Sequence, residues 1–145
     1  MTHCASKGKP AFPCVPTIFC ICGEKNSGKT TLIEAVLPIL TACGYSIAVV
    51  KHDGHSFEPD VDGTDTRRFF DAGAMGTAVF DGEKFMLVKR QPVDETQLFE
   101  AFPEADLILI EGLKESSYPK LFLKAGEWQD PQEVADMLEK MLHER

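Results

Sequence analysis

A short glycine-containing segment in the first part of the chain restricts the possible folds more than any other feature. It fits the pattern Gly-x4-Gly-Lys-Thr and consists of Gly23, Glu24, Lys25, Asn26, Ser27, Gly28, Lys29 and Thr30. An apolar run over residues 17–22 precedes the segment, and a helical pattern that begins at Thr31 follows it. In such a context the glycines let the backbone turn, so that successive N–H groups and the helix start face an anion. The segment therefore predicts a loop that binds the phosphates of a nucleotide.

The side chains of this loop have separate expected roles. The ammonium group of Lys29 is expected to reach the β- and γ-phosphates. The hydroxyl of Thr30 is expected to bind Mg²⁺, a hard cation that takes few protein ligands beside the phosphates. All eight residues of the loop, and Thr31 directly after it, are predicted to contact the nucleotide.

The rest of the chain alternates strand and helix patterns, which predicts an α/β fold of the P-loop NTPase type, with a mostly parallel sheet flanked by helices. Strands are expected at 17–22, 45–50, 107–110 and 120–123, and helices at 31–42, 65–74, 95–102 and from Pro131 onward. The apolar segments 77–80 and 85–88 flank an Asp-Gly turn and predict a β-hairpin insertion. We expect residues 1–16 to form a loose leader and residues 17–145 to form the domain that carries the phosphate loop.

Charge and hydropathy exclude several classes of protein. The chain has 15 Lys and Arg against 23 Asp and Glu, and its formal net charge of -8 argues against a nonspecific grip on nucleic acid or an anionic membrane. No apolar segment approaches the length that crosses a bilayer, and no secretory signal is recognisable, so a cytoplasmic location is expected. The five cysteines match no paired metal-binding pattern and are interpreted as free thiols, with Cys20 and Cys22 in the core of the first strand.

Acidic residues follow two of the predicted strands. Because ligands bind beyond the carboxyl ends of strands in open α/β sheets, these residues are candidates for chemistry. Glu111 is the leading candidate to hold Mg²⁺ or to orient an attacking water, and Asp53 either shares that role or is a turn residue. The predicted catalytic residues are thus Lys29, Glu111 and Asp53, and the predicted Mg²⁺ ligands are Thr30, Asp53 and Glu111.

Histidine and arginine side chains lie after the second predicted strand. His52 and His55 flank Asp53, but a zinc site needs four good ligands, so contact with phosphate or substrate, or a surface turn, is favoured over a metal site. Of Arg67 and Arg68, one is expected to stabilise charge on a transferred phosphoryl group or to bind an anionic partner molecule, and the other to pair with local carboxylates. The Asn-Lys-x-Asp signature by which many GTPases read guanine is absent, so the residues alone do not define the base.

Three segments in a fixed order resemble the molybdopterin-guanine dinucleotide biosynthesis protein B family, MobB. They are GEKNSGKTTLIE at 23–34, VVKHDGHSFEPDVDGTDTRRFFDAGA at 49–74 and LILIEGLKESSYPKL at 107–121. Proteins of this family are homodimeric GTP-binding proteins with weak GTPase activity. They assist the guanylyltransferase that attaches GMP to molybdopterin.

The resemblance implies GTP and Mg²⁺ as ligands, and a homodimer joined through the hairpin at 77–88. It implies three partners, which are the guanylyltransferase, the molybdenum insertase (molybdopterin molybdenumtransferase) and molybdopterin itself. His52, Arg67 and Lys114 are expected to contact phosphate or the anionic pterin. Two alternatives stay open at this point, a P-loop small-molecule kinase and a metallochaperone GTPase that uses His52, His55 and the cysteines.

Overall fold

The structure is a computed structural model, and it describes residues 15–53 and 57–145. The described helices and strands are, in chain order, β1 (Thr17–Gly23), α1 (Lys29–Ala42), β2 (Ile47–Lys51), α2 (Asp65–Asp71), β3 (Gly76–Phe80), β4 (Phe85–Lys89), α3 (Glu95–Phe99), β5 (Leu107–Glu111), β6 (Lys120–Leu123) and α4 (Pro131–His143). The chain divides into two compact units. One contains the described residues up to His52 together with Glu95–Arg145, and the other is Asp53–Asp94.

The first unit is built on a four-stranded sheet in the order β2-β5-β1-β6. Every neighbouring pair in this sheet is parallel. The central strands β1 and β5 are covered on both faces, which explains why their sequences are continuous apolar runs and not alternating ones. The predicted α/β class with a mostly parallel sheet and a separate hairpin is confirmed.

Alternate residues of the central strands belong to two separate hydrophobic cores, one on each face of the sheet. On one face Phe19, Ile21, Leu107 and Leu109 pack with buried residues of α1 and α4. On the other face the core comprises Cys20, Cys22, Val50, Ala105, Ile108 and Ile110, with Phe99 of α3 and Tyr118 packed against them. This alternation follows from the two-residue period of a strand, which sends successive side chains to opposite faces.

The ends of the long helices match local signals in the sequence. Helix α1 ends at Ala42, and Gly44 adopts a left-handed conformation with φ of 89° just beyond it. Helix α4 begins at Pro131 because the side chain of Asp130 accepts a hydrogen bond from the Gln132 amide at 3.0 Å and so caps the first turn. The predicted end of α1 and the predicted start of α4 are confirmed.

Two shorter helices end earlier than the sequence predicts. Helix α3 stops at Phe99 and not at Phe102, and Pro103 disfavours helical geometry at Phe102 itself. The chain continues instead through turns in which the Phe102 amide donates to the Phe99 carbonyl at 3.0 Å. Helix α2 ends at Asp71, three residues before the predicted end, and Gly73 follows with φ of 114°.

The second unit contains α2 and the antiparallel pair β3–β4. The hairpin turn is organised by Asp81, whose carboxylate accepts hydrogen bonds from the amides of Glu83 at 2.8 Å and Lys84 at 2.9 Å. Arg90 ties the hairpin to α2, since its guanidinium lies 3.5 Å from the ring centre of Phe70 and donates to the Phe70 carbonyl at 2.6 Å. The predicted hairpin and its Asp-Gly turn are confirmed.

The cysteines differ from one another in state. Cys20 and Cys22 are free and buried, as predicted, and burial raises the pKa of both thiols, so they stay protonated and unreactive. Cys43 is disulfide-bonded, so the expectation of a free thiol is wrong at this position. Among the described residues no helix is both long enough and apolar enough to span a membrane.

Candidate functional site

The carboxyl ends of three adjacent strands meet at one edge of the parallel sheet. Glu111, the last residue of β5, lies beside Ile21 of β1 on one side and Lys51 of β2 on the other. The pairing continues beyond the strands, because the His52 amide donates to the Glu111 carbonyl and the Gly112 amide donates to the Ile21 carbonyl, both at 3.0 Å. The edge where ligands bind in open α/β sheets thus brings together the loop after β1, Glu111 and the backbone of His52.

The loop between β1 and α1 is shaped by close backbone approaches. At Gly23 a Cβ atom would lie 2.6 Å from the Leu123 carbonyl oxygen and 2.6 Å from the Ser27 hydroxyl oxygen, so no other residue fits there. Asn26 and Gly28 adopt left-handed backbone conformations, with φ values of 62° and 91°. These conformations redirect the chain so that α1 begins at the next residue, Lys29. One tight position, Gly23, and two left-handed residues, Asn26 and Gly28, therefore fix the curvature that an anion-binding loop requires.

Lys29 closes the loop on itself. Its ammonium group donates a hydrogen bond to the carbonyl of Gly23 at 3.0 Å. The side chain of this first helical residue therefore reaches back across the loop to the end of β1. Backbone N–H groups at the start of α1 carry partial positive charge, and the ammonium adds a full charge beside them. This arrangement suits a polyanion such as a nucleotide triphosphate.

The hydroxyl of Ser27 is the one buried side-chain oxygen of the described residues that has no hydrogen-bond partner among them. Such a group costs free energy unless it is paired, and those found in native proteins commonly serve a ligand or an ordered solvent molecule. Because Ser27 belongs to the predicted phosphate loop, its hydroxyl is a ready donor for a phosphate oxygen. The residues present therefore fit a bound phosphate.

Thr30 and Glu111 form the second part of the site. The Thr30 hydroxyl donates to the Glu111 carboxylate Oε1 at 3.1 Å, which joins the first turn of α1 to the end of β5. Hydroxyl and carboxylate oxygens are the hard ligands that Mg²⁺ prefers, and this cation typically takes only one or two of them from a protein. The pair therefore fits the predicted Mg²⁺ ligands. Asp53 belongs to the other compact unit, and its part in the site stays a prediction.

The turn after β5 is held by a residue that the sequence reading missed. Lys120, at the start of β6, donates through its ammonium group to the Lys114 carbonyl at 2.9 Å and to both the carbonyl and the hydroxyl of Ser116. Gly112 has φ of 117° and a Cβ there would lie 3.2 Å from the His52 carbonyl oxygen. The turn is thus rigidly attached beside Glu111. Lys114 is exposed, and its contact with an anion stays a prediction.

Arg67 is the arginine that pairs with local carboxylates. Its guanidinium donates to both carboxylate oxygens of Asp71, at 3.0 and 3.1 Å, and also contacts Glu58 and the Pro59 carbonyl. These contacts fasten the acidic segment before α2 to the helix, whereas Arg68 is exposed. Binding of phosphate or pterin by Arg67 stays a prediction.

Asp60 organises the same acidic segment and was not singled out from the sequence. The hydroxyl of Thr66 donates to its carboxylate and lowers the pKa of Asp60, with a smaller contribution from the Val61 amide at 2.7 Å. Thr64 caps α2 by accepting from the Arg67 amide at 3.3 Å. The sequence pattern that could have indicated this role is Asp-x-x-x-Thr-x-Thr, because short polar side chains of this kind commonly form hydrogen bonds with nearby backbone groups.

The described part of the chain gives no support to a metallochaperone site of transition-metal type. No group of three or more His, Cys, Asp or Glu residues is arranged to hold a metal ion within residues 15–53 and 57–145. His52 is exposed, and His55 lies outside the described residues.

Comparison with known proteins decides the family. The family model of Molybdopterin guanine dinucleotide synthesis protein B, MobB, matches residues 18–142. The chain belongs to the MobB family. The match covers both compact units, including the loop after β1 and Glu111, and it agrees with the resemblance carried by the three sequence segments.

Individual relatives of the MobB family extend this finding. The chain is 40% identical over 116 residues to a probable molybdopterin-guanine dinucleotide biosynthesis adapter protein of Bacillus subtilis (strain 168), and 33% identical over 115 residues to the adapter protein of Haemophilus influenzae. Each match covers 77% of this chain and 65% of the relative, so the chain spans slightly less than two thirds of their length. The crystal structure of Bacillus subtilis MobB has a TM-score of 0.64 at 35% identity, covering 83% of this chain and 72% of that one.

Proposed function

We propose that this chain is a GTP-binding adapter protein in the biosynthesis of molybdopterin guanine dinucleotide. The observation that carries the proposal is the loop Gly23–Thr30, in which Lys29 closes the turn and Thr30 contacts Glu111, in a chain of the MobB family. The names of the Bacillus subtilis and Haemophilus influenzae relatives describe adapter proteins of this pathway. A guanine nucleotide is the natural ligand for such an adapter, because the pathway transfers GMP.

The loop residues divide the work of binding between them. The amides at the start of α1, the Lys29 ammonium group and the Ser27 hydroxyl bind the phosphate oxygens. Thr30 and Glu111 would hold Mg²⁺, which offsets the charge of the phosphates when it is bound. Glu111 also orients water beside the terminal phosphate. Hydrolysis is expected to be slow, as the resemblance to the MobB family implies.

The hairpin supplies the surface for a homodimer. Phe80, Phe85 and Leu87 share one face of the hairpin, because Phe80 pairs with Phe85 and Leu87 lies two residues beyond Phe85. Phe80 is 83% exposed, Phe85 75% and Leu87 63%. A contiguous apolar patch of this kind typically marks an interface, and a two-stranded hairpin gains stability when its free edges pair with further strands. A second copy of the hairpin meets both needs.

Replacing Phe80 and Phe85 together by Asp is expected to convert the dimer to monomer at micromolar concentration, since it places charge in the apolar patch. Light scattering coupled to size-exclusion chromatography gives the molar mass. The matched control is Phe69→Asp, which changes an exposed phenylalanine on α2, outside the hairpin. A parent chain that is monomeric at all concentrations, or a double variant that stays dimeric, argues against this interface.

The adapter function is tested by reconstitution with the guanylyltransferase. In the presence of molybdopterin, GTP and Mg²⁺, addition of the chain should raise the rate at which molybdopterin guanine dinucleotide forms, and the chain should be retained on immobilised guanylyltransferase. Because the effect depends on bound nucleotide, Lys29→Ala should lose it, and Lys140→Ala, which removes the same charge from an exposed position on α4, should keep it. The proposal fails if the chain neither binds the guanylyltransferase nor changes the rate.

A further inference from the structure

We propose that a cavity beside the phosphate loop is the subsite for the guanine base, with Trp128 as its stacking surface and Glu127 as the group that selects guanine. This inference rests on the proposed function and deepens it, because it assigns the recognition that an Asn-Lys-x-Asp signature would otherwise supply. The cavity measures about 230 Å³ and lies between the start of α1 and the segment that joins β6 to α4.

The position of the cavity matches the chemistry of a nucleotide. Its walls include Ser27 and Gly28 of the phosphate loop and Thr31 of the first turn of α1. If the phosphates of a nucleotide occupy the loop, the nucleoside part of the same molecule therefore lies at the cavity. Leu32 and Ala35 add an apolar floor. A volume of about 230 Å³ is below that of pockets for whole drug-sized ligands, so it suits one ring system and not a complete nucleotide.

Trp128 supplies the flat surface that a purine requires. It lines the cavity and is nevertheless 80% exposed, so most of its ring surface is open to a ligand. Every base has a π-face, and stacking on an aromatic side chain binds a base without the need for a hydrogen-bonding signature. The segment 124–130 that carries the ring contains a turn, in which the Glu127 amide donates to the Lys124 carbonyl at 3.1 Å, and it ends at Asp130, which caps α4. The ring is thus presented at a defined place beside the loop.

Glu127 gives the cavity its preference for guanine. An ionised carboxylate only accepts hydrogen bonds, and guanine presents two adjacent donors, N1–H and the N2 amino group. Adenine presents an acceptor at N1 and carries no amino group at C2, so it leaves the carboxylate desolvated and without a partner. The side chain of Glu127 makes no hydrogen bond or ion pair within the part of the chain that the structure describes. Its carboxylate is therefore available for the base.

Trp128 is the single tryptophan of the chain, so its fluorescence reports directly on contact between its ring and a base. Adding GTP with Mg²⁺ should change the emission of Trp128, whereas inorganic tripolyphosphate with Mg²⁺, which has no base, should bind the loop and leave the emission almost unchanged. Trp128→Ala should lower the affinity for GTP about tenfold or more, as expected for loss of base stacking, and should not lower the affinity for tripolyphosphate. Trp128→Phe is the matched control, since it keeps an aromatic face and should retain most of the affinity.

The role of Glu127 is tested with a second nucleotide. Inosine triphosphate lacks the N2 amino group, so the parent chain should bind GTP several-fold more tightly than inosine triphosphate. In Glu127→Gln one acceptor is replaced by a donor, and this ratio should fall toward one. A merely structural role of Glu127 would lower both affinities equally and would leave the ratio unchanged, which would overturn the assignment of guanine selectivity.

The failures of the two proposals are distinguishable. If calorimetry shows that GTP binds, while Trp128→Ala binds it as the parent does and the emission does not respond, the base subsite is wrong and the proposed function stands. If the parent binds neither GTP nor tripolyphosphate, the proposed function fails and the subsite fails with it. A preference for ATP over GTP overturns the guanine assignment.

Discussion

Lys29→Ala is expected to weaken GTP binding by about 100-fold or more, because it removes the ammonium group that lies across the loop and that we propose to bind the phosphates. Charge-assisted hydrogen bonds are roughly twice as strong as neutral ones, and an ammonium group has three N–H donors, so it is able to bind more than one phosphate oxygen. Isothermal titration calorimetry with GTP and Mg²⁺ measures the change. The fold should be retained, since the described contact of the Lys29 side chain is with the Gly23 carbonyl and alanine is a good helix former.

Two controls make the result for Lys29 specific. The thermal unfolding midpoint of Lys29→Ala should stay close to that of the parent, which separates loss of binding from loss of fold. Lys140→Ala removes the same charge from an exposed site on α4 and should bind GTP normally. Affinity for GTP that is unchanged in a folded Lys29→Ala variant shows that the loop is not the phosphate site.

Glu111→Gln is expected to keep GTP binding within a few-fold of the parent and to slow GTP hydrolysis by about 100-fold, the lower end of the range for loss of a positioned catalytic acid or base. The amide oxygen of glutamine still accepts the hydrogen bond that the Thr30 hydroxyl donates to Glu111 at 3.1 Å. The negative charge is lost, and with it the carboxylate that we propose to orient water and to hold Mg²⁺ beside the phosphates. Phosphate release under single-turnover conditions measures the rate.

Glu115→Gln is the matched control for this prediction. Glu115 is an exposed acidic residue four positions further along the same turn, so its replacement changes the net charge equally and leaves the strand end intact. It should hydrolyse GTP at the parent rate. If Glu111→Gln also hydrolyses GTP at the parent rate, Glu111 has no catalytic part.

The elements that local patterns determine were predictable from the sequence. The continuous apolar runs of β1 and β5 indicated strands covered on both faces, and the Gly-x4-Gly-Lys-Thr pattern placed the turn between β1 and α1. The helix end at Ala42 and the start at Pro131 followed from a glycine and a proline. In each case one or two neighbouring residues decide the backbone geometry.

Features that depend on distant partners were not predictable in the same way. In the sequence Lys120 has the features of an ordinary strand residue. Its hydrogen bonds to the turn after β5 form only when β6 lies beside that turn. The role of Asp60 depends on the hydroxyls of Thr64 and Thr66, which come close only after α2 has formed. The same applies to the cavity beside Trp128, whose walls are separated by about a hundred residues of sequence.

A crystal structure of the chain with a non-hydrolysable GTP analogue and Mg²⁺ tests most directly whether the loop between β1 and α1 binds the triphosphate of GTP. The expected density places the β- and γ-phosphates within hydrogen-bonding distance of the amides at the start of α1 and of the Lys29 ammonium group, with Mg²⁺ at the Thr30 hydroxyl. Density for the triphosphate at another place, or a loop that stays free of ligand at saturating concentration, contradicts it.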